Sequence, residues 1–280
     1  MPLLKITRRT FLKTGAAGVS AAMAGLGYST QIEPERLSLE RVTTRLPGLP
    51  TALEGLRIAV LGDFHLQPFT KIGHVQDAVR LANSLHADLV VLLGDYVDAT
   101  VDAIYELAPE LSRLNSRLGV FGILGNHDHW KGAKLVQSVL EDSGIPILKN
   151  SGVAISVGGS ELFLAGLDSA WSGYPTLEAA LAGRRTGVST VLLIHEPDFA
   201  DTAASDGRIA LQLSGHSHGG QVRLPFIGAL RLPSWGRRYD HGLYRLGDMA
   251  LYTNRGIGLV HVPVRFNCPP EVTEITLCGA

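Results

Sequence analysis

Cysteine is nearly absent from this chain of 280 residues, with only Cys268 and Cys278 present. Neither belongs to a Cys-x-x-Cys pair, which excludes a zinc ribbon. Residues 271–277 between them alternate like a strand, which would set their Cα atoms roughly 25–30 Å apart. A disulfide tolerates under about 7 Å, so two free, buried thiols are expected. Beyond residue 30 no stretch reaches the ~18 apolar residues of a spanning helix, so the body is expected to be soluble. Internal repeats are missing, as are low-complexity tracts outside the first 30 residues. A basic excess is also missing. The formal net charge is −1, and Lys5, Arg8, Arg9 and Lys13 stand in an N-terminal stretch without acids. The remainder is therefore acidic, which disfavours nucleic acid as a partner. An apolar fraction of 45% against 18% charged residues is that of a globular protein.

The basic N-terminus has its own logic. Thr7-Arg8-Arg9-Thr10-Phe11-Leu12-Lys13 resembles a twin-arginine export signal. A weakly apolar, small-residue stretch follows from Gly15 to Gly27, and Ala22-Met23-Ala24 offers a cleavage site. Residues 1–30 are thus expected to be a signal peptide or a retained N-terminal anchor. A frayed basic terminus is the plainer alternative. The resemblance implies the twin-arginine machinery as a partner and a place in the periplasm or cell envelope, with peripheral membrane contact. That machinery carries proteins already folded.

Residues 31–55 read as an extension with an edge strand over 39–46. Residues 56–280 read as one domain. Apolar runs at 56–61, 88–93 and 119–124 alternate with amphipathic helices at 75–85, 103–114 and 134–142. Such continuous apolar strands imply a sheet covered on both faces. Further on, runs at 153–157, 162–167, 190–194, 209–213, 243–246, 250–253 and 272–277 are joined by short links. They predict a second, largely antiparallel or mixed sheet packed on the first. Helix potential there is confined to 176–181 and 199–204.

Chemistry gathers at the ends of these runs. Asp63, His65, Asp95, Asn126, His195, His216 and His218 mostly follow strand-like segments, where α/β sheets collect their functional groups. Asp63 to Asp95 and Asp95 to Asn126 are each about one right-handed βαβ unit apart, which puts the three ends on one sheet edge. Oxygen and nitrogen ligands with one carboxylate free to bridge describe a two-metal hydrolytic centre. His216 and His218, two apart, would face the same way on an ideal strand.

The ordered blocks Asp63-x-His65, Gly94-Asp95-x-x-Asp98, Gly125-Asn126-His127-Asp128, His195 and Gly215-His216-x-His218 resemble the calcineurin-like metallophosphoesterase family. The resemblance implies a four-layer α/β/β/α sandwich of two mixed sheets flanked by helices. It implies two divalent metal ions: Asp63, His65 and His218 on the first, Asn126, His195 and His216 on the second, and Asp95 bridging. Mn²⁺ is the first choice, and Fe or Zn²⁺ also suit the ligand set. His127 is left as the proton donor toward the leaving group, with Asp98 orienting it, and a metal-bridging hydroxide as nucleophile. Asp128 is placed behind the ligands.

Residues 213–222, 242–244, 254–258 and 265–271 narrow the resemblance to an exported cell-envelope branch acting on phosphodiesters. That branch is similar to enzymes acting on phosphodiesters, a pyrophosphatase of UDP-2,3-diacylglucosamine among them. That implies a phosphodiester or pyrophosphate substrate, lipid-linked in the sharpest form. Phosphomonoester hydrolysis and a non-catalytic metal- or polyanion-binding role are the rivals. His129, Arg237, Arg238 and Arg255 are candidates for substrate contact. The apolar segment 226–235 is either a lid meeting a lipid or an ordinary loop.

Overall fold

The structure is a computed structural model and describes residues 7–280. Lys5, and with it the start of the expected signal, lies outside the described residues. Helix α1 (Arg8–Gly27) buries none of its residues. Among the described residues no helix is long and apolar enough to cross a membrane. Packing against the body starts at Ser29, just inside the expected leader. Ser29 is buried, and its carbonyl accepts from the Arg265 amide at 2.9 Å.

The chain then runs β1 (Ser38–Leu46), β2 (Arg57–Leu61), α2 (Ile72–Ser84), β3 (Leu89–Leu92), α3 (Ile104–Leu111), β4 (Val120–Gly122) and α4 (Asn126–Asp142). It continues through β5 (Ser151–Val157), β6 (Ser160–Gly166), α5 (Leu177–Ala180), β7 (Ser189–Leu193), α6 (Ala200–Asp206) and β8 (Leu211–Ser214). A small ribbon of β9 (Arg223–Leu224) and β10 (Gly228–Ala229) precedes β11 (Gly242–Leu246), β12 (Met249–Thr253) and β13 (Glu271–Gly279).

The first sheet has the order β1-β13-β2-β3-β4 and the second β11-β12-β8-β7-β6-β5. The last strand departs from expectation. β13 leaves the second half and inserts into the first sheet, parallel to β1 and antiparallel to β2. An apolar run shows that a strand is buried, not which sheet receives it. The second sheet is mixed, with a parallel centre of β12, β8, β7 and β6 and antiparallel edges.

Alternation within the apolar runs builds four layers. On β2, Ala59 and Leu61 face α2, α3 and α4, while Ile58 and Val60 face the second sheet. On β7, Val191 and Leu193 face inward, and Leu192 meets Ala180 of α5 and Ala200 and Ala203 of α6. Leu107 of α3 is fully buried in the outer layer. Truncating such a side chain to Ala costs about 2–5 kcal/mol.

Helix α4 starts at Asn126, eight residues earlier than its periodicity predicts, because Gly132 (φ 149°) breaks the helical path. Both cysteines are free. Cys268 is buried as expected, but Cys278 is half-buried, since it lies near the end of β13.

Candidate metal centre

The site sits where both sheets end on the same side. Asp63, Asp95 and Asn126 follow β2, β3 and β4 of the first sheet. His195, His216 and His218 follow β7 and β8 of the second. Each chain must turn sharply as it leaves its strand. Asp63, His65, Asp95, His216 and His218 all have φ between 42° and 70°. Left-handed backbone is unfavourable for such residues and clusters at functional sites. His216 and His218 are therefore not on a strand; β8 stops at Ser214. Their rings diverge to different clusters rather than running side by side. Gly125 and Gly215 permit the crowding, because the carboxylates of Asp95 and Asp63 fill the space a Cβ would need there.

The ligands form two clusters, Asp63/His65/His218 and Asp95/His195/His216. Asp95 joins them. Its Oδ2 lies 3.3 Å from His65 Nε2 and 3.1 Å from His195 Nε2. His218 Nε2 lies 3.0 Å from His65 Nε2 and 3.4 Å from Asp63 Oδ1. Two imidazole nitrogens facing each other at that distance need a proton or a cation between them.

Tautomers follow from the outer contacts. His195 Nδ1 donates to the Leu93 carbonyl at 2.7 Å, which leaves Nε2 as a lone pair. His216 Nε2 donates to the Ser234 carbonyl at 2.8 Å, which leaves Nδ1. The Oδ1 of Asn126 is buried without a hydrogen-bond partner, as is His195 Nε2. Buried orphans of this kind are costly unless something charged is placed there. The donor set fits two divalent cations.

Burial and crowding pull the titrating groups apart. Burial raises the Asp63 carboxyl to about 6. Burial opposes a charge on His65, but hydrogen bonds to Asp95 and Asp98 prevail and lift it to about 9. Burial and neighbouring His195 push His216 down to about 4. Divalent cations would favour ionised carboxylates and neutral imidazoles throughout.

Behind the ligands stands Asp128. Its carboxylate accepts the amides of Asp95, Tyr96 and Gly125, each at 2.9 Å, and so clamps the ends of β3 and β4 together. Burial, then the nearby Asp95, raise its carboxyl to about 6. On the cleft side, His127 Nδ1 lies 2.9 Å from Asp98 Oδ1, and the His127 amide donates to Asp95 Oδ1 at 2.8 Å.

The centre opens into a cleft of about 640 Å³ lined by His127, Trp130 and Trp171 and by a wall of Leu230, Arg231, Leu232 and Pro233. Trp130 and Trp171 meet edge to face at 5.2 Å, beside His127 and His216 respectively. Neither tryptophan belongs to the ligand blocks legible in the sequence. Trp130, three residues after His127, carried the only signal. Arg265, which opens the 265–271 block and raises the same question of phosphate contact as Arg255, does not line the cleft. It is fully buried, donates to the carbonyls of Arg255 and Gly258 at 2.9 and 2.7 Å, and comes within 3.5 Å of His218 Nδ1.

Of the proposed substrate contacts, only Arg237 lines the cleft. Arg238 is paired with Asp201, and Arg255 with Glu40 and Glu271. His129 Nε2 lies 2.7 Å from Asp168 Oδ1. Each of these three is engaged by an acid distant in sequence, so adjacency to a motif did not foretell its direction.

A family model described as calcineurin-like phosphoesterase matches residues 56–220. An uncharacterized metallophosphoesterase of Bacillus subtilis, YkuE, is 34% identical over 98% of this chain and 98% of its own length. The phosphodiesterase YaeI of Escherichia coli is 32% identical over 97% of this chain and 99% of its own. Among solved structures, a dimetal phosphatase from Danio rerio superposes with a TM-score of 0.50 at 14% identity, covering 73% of this chain and 88% of that one. This last likeness concerns the fold alone.

Proposed function

This chain belongs to the calcineurin-like phosphoesterase family, and within that family we propose that it hydrolyses phosphodiester or pyrophosphate bonds of a cell-envelope substrate, lipid-linked in its sharpest form. The observation that carries the reading is Asp95 Oδ2 standing between His65 and His195, which turns two ligand clusters into one centre. Asp63, His65 and His218 would hold one cation, Asn126, His195 and His216 the other, with Asp95 shared; Mn²⁺ is the proposed ion. When bound, two such cations supply Lewis acidity toward a phosphoryl oxygen and a nucleophile from water at neutral pH.

The chain's own residues do the rest. Asp98 holds the Nδ1 side of His127, which leaves Nε2 for the cleft, where it donates a proton to the departing oxygen. Asp128 keeps Asp95 and Asn126 in register. Trp130, Trp171, Leu230, Leu232 and Pro233 give the cleft an apolar lining beside the centre, which accommodates an ester substituted on both sides of phosphorus. The relative named a phosphodiesterase, matched along its whole length, supports the same preference. Retention of the His127–Asp98 pair supports catalysis over passive metal binding, since neither residue is needed to hold an ion. The arginine pair Arg8-Arg9 supports export by the twin-arginine machinery to the periplasm or envelope.

The test is hydrolysis of bis-p-nitrophenyl phosphate against p-nitrophenyl phosphate with added Mn²⁺. The diester should turn over faster. Faster monoester turnover would reverse the substrate preference, and no turnover of either with any of Mn²⁺, Fe²⁺ or Zn²⁺ would defeat the enzymatic reading.

A further inference from the structure

We propose that the molecular edge formed by the 225–228 turn, the 260–264 loop and the root of α1 rests on an anionic lipid surface, with the cleft mouth at headgroup level. The proposal rests on the phosphoesterase reading of the cleft and names the surface that presents its substrate.

The turn between β9 and β10 displays Phe226 at 109% and Ile227 at 71% exposure. Such a pair adds little stability in water, since both side chains stand mostly in solvent. It is nevertheless held firmly, because β9 and β10 pair at Gly228–Leu224 and Ala229–Arg223. Leu230 and Val262 extend the apolar surface at 57% and 49% exposure. The two loops form one piece. Gln221 donates to the Val260 carbonyl at 3.0 Å and accepts the Val260 amide at 2.8 Å.

A second, independent apolar element leaves the body at the same place. Tyr28 shares a small hollow with Pro225, Phe266 and Asn267, so α1 departs beside the exposed turn. That helix presents Phe11, Leu12, Val19, Met23 and Leu26 to solvent, with Arg8, Arg9 and Lys13 and no acid.

Charge selects the occupant. Residues 221–239 contain Arg223, Arg231, Arg237 and Arg238 and no acidic residue. Arg223 and Arg238 are neutralised by Asp240 and Asp201. Arg231 and Arg237 have no ion-pair partner among the described residues, and both line the cleft. Apolar tips flanked by unpaired arginines match a layer of acyl chains under anionic headgroups. A second copy would bring the same positive edge and repel it. The phosphoester of a lipid held at headgroup depth then lies beside the mouth of the metal-binding cleft.

The experiment uses the full chain and vesicles of phosphatidylcholine and phosphatidylglycerol at three to one. Phe226→Ser/Ile227→Ser should lower cosedimentation on the order of tenfold. It should slow hydrolysis of a diacylglycerol p-nitrophenyl phosphodiester in those vesicles by a similar factor, while soluble bis-p-nitrophenyl phosphate turns over at the parent rate. That unchanged rate also shows that the variant folds. In a separate variant, Phe226→Trp emission should shift to the blue and be quenched by brominated lipid. Parental vesicle binding by the double variant overturns the proposal, as does a parent protein that ignores the vesicles yet cleaves the soluble diester. A parent that binds vesicles through the turn but cleaves no diester supports the lipid edge and defeats the catalytic reading instead. Conversion of a dimer to a monomer by the double variant, with vesicle binding kept, would assign the edge to a second copy and overturn it.

Discussion

The floor of the cleft and its outer wall are built by opposite means. On the floor, the carboxylates are fixed by backbone amides drawn from two sheets, as when Asp63 accepts the His216 amide at 2.9 Å and Asp128 accepts three amides at once. The wall at 230–233 follows a two-residue ribbon and carries the exposed side chain of Leu230. A reaction that must place charge accurately needs the first kind of construction. Choice among substrates can be left to the second.

That contrast can be broken first at Asp95. Asp95→Ala should remove both metal binding, read by calorimetry or metal analysis, and diester hydrolysis, by on the order of 10⁴-fold or more. Retained metal stoichiometry would show that the two clusters are independent. Next comes His127→Ala, expected to keep its metal and lose about 10²–10⁴-fold in kcat. A parent-like rate would remove the proposed acid.

Asp128→Asn tests whether the clamp behind the floor matters. Metal affinity should weaken by about 10–100-fold, the usual cost of losing a group that orients ligands, with kcat at saturating metal changed less.

Asp168 gives a pH test on the rim. Burial opposes its charge, but the hydrogen bond to His129 prevails and holds its carboxyl at about 2. A depressed folded pKa gives stability that is complete above the unfolded value near 3.8 and is lost as pH falls through about 2. Asp168→Asn should therefore lower Tm by a few degrees at neutral pH, and the gap to the parent should close in acid. The smallest effect belongs to Arg238→Ala. Its guanidinium is committed to Asp201, so kcat/KM for a soluble diester should stay within about twofold. A larger loss would return Arg238 to the substrate contacts.

What could be read in advance divides along the same line. Continuous apolar runs such as Leu89–Leu92 announced strands buried on both faces, and the ligands announced their positions by following such runs. Partnership across the chain stayed hidden. Nothing near Glu271 tells that β13 crosses back beside β2, and nothing near Arg255 announces Glu40. Gly132 masked the first turns of α4, so Asn126 read as a loop residue rather than a helix start. Left-handed backbone at His216 and His218 also lies outside periodicity, since it is imposed by the convergence of two sheets.

Drawing donors from β2, β3 and β4 on one side and from β7 and β8 on the other has a mechanical result. An ion held by donors from both halves would be a rivet across the seam between them, and an unfolding chain would have to release it. The free ion concentration would then set thermal resistance as well as turnover, since a ligand held only by the native state stabilises it in proportion to the logarithm of its concentration over Kd.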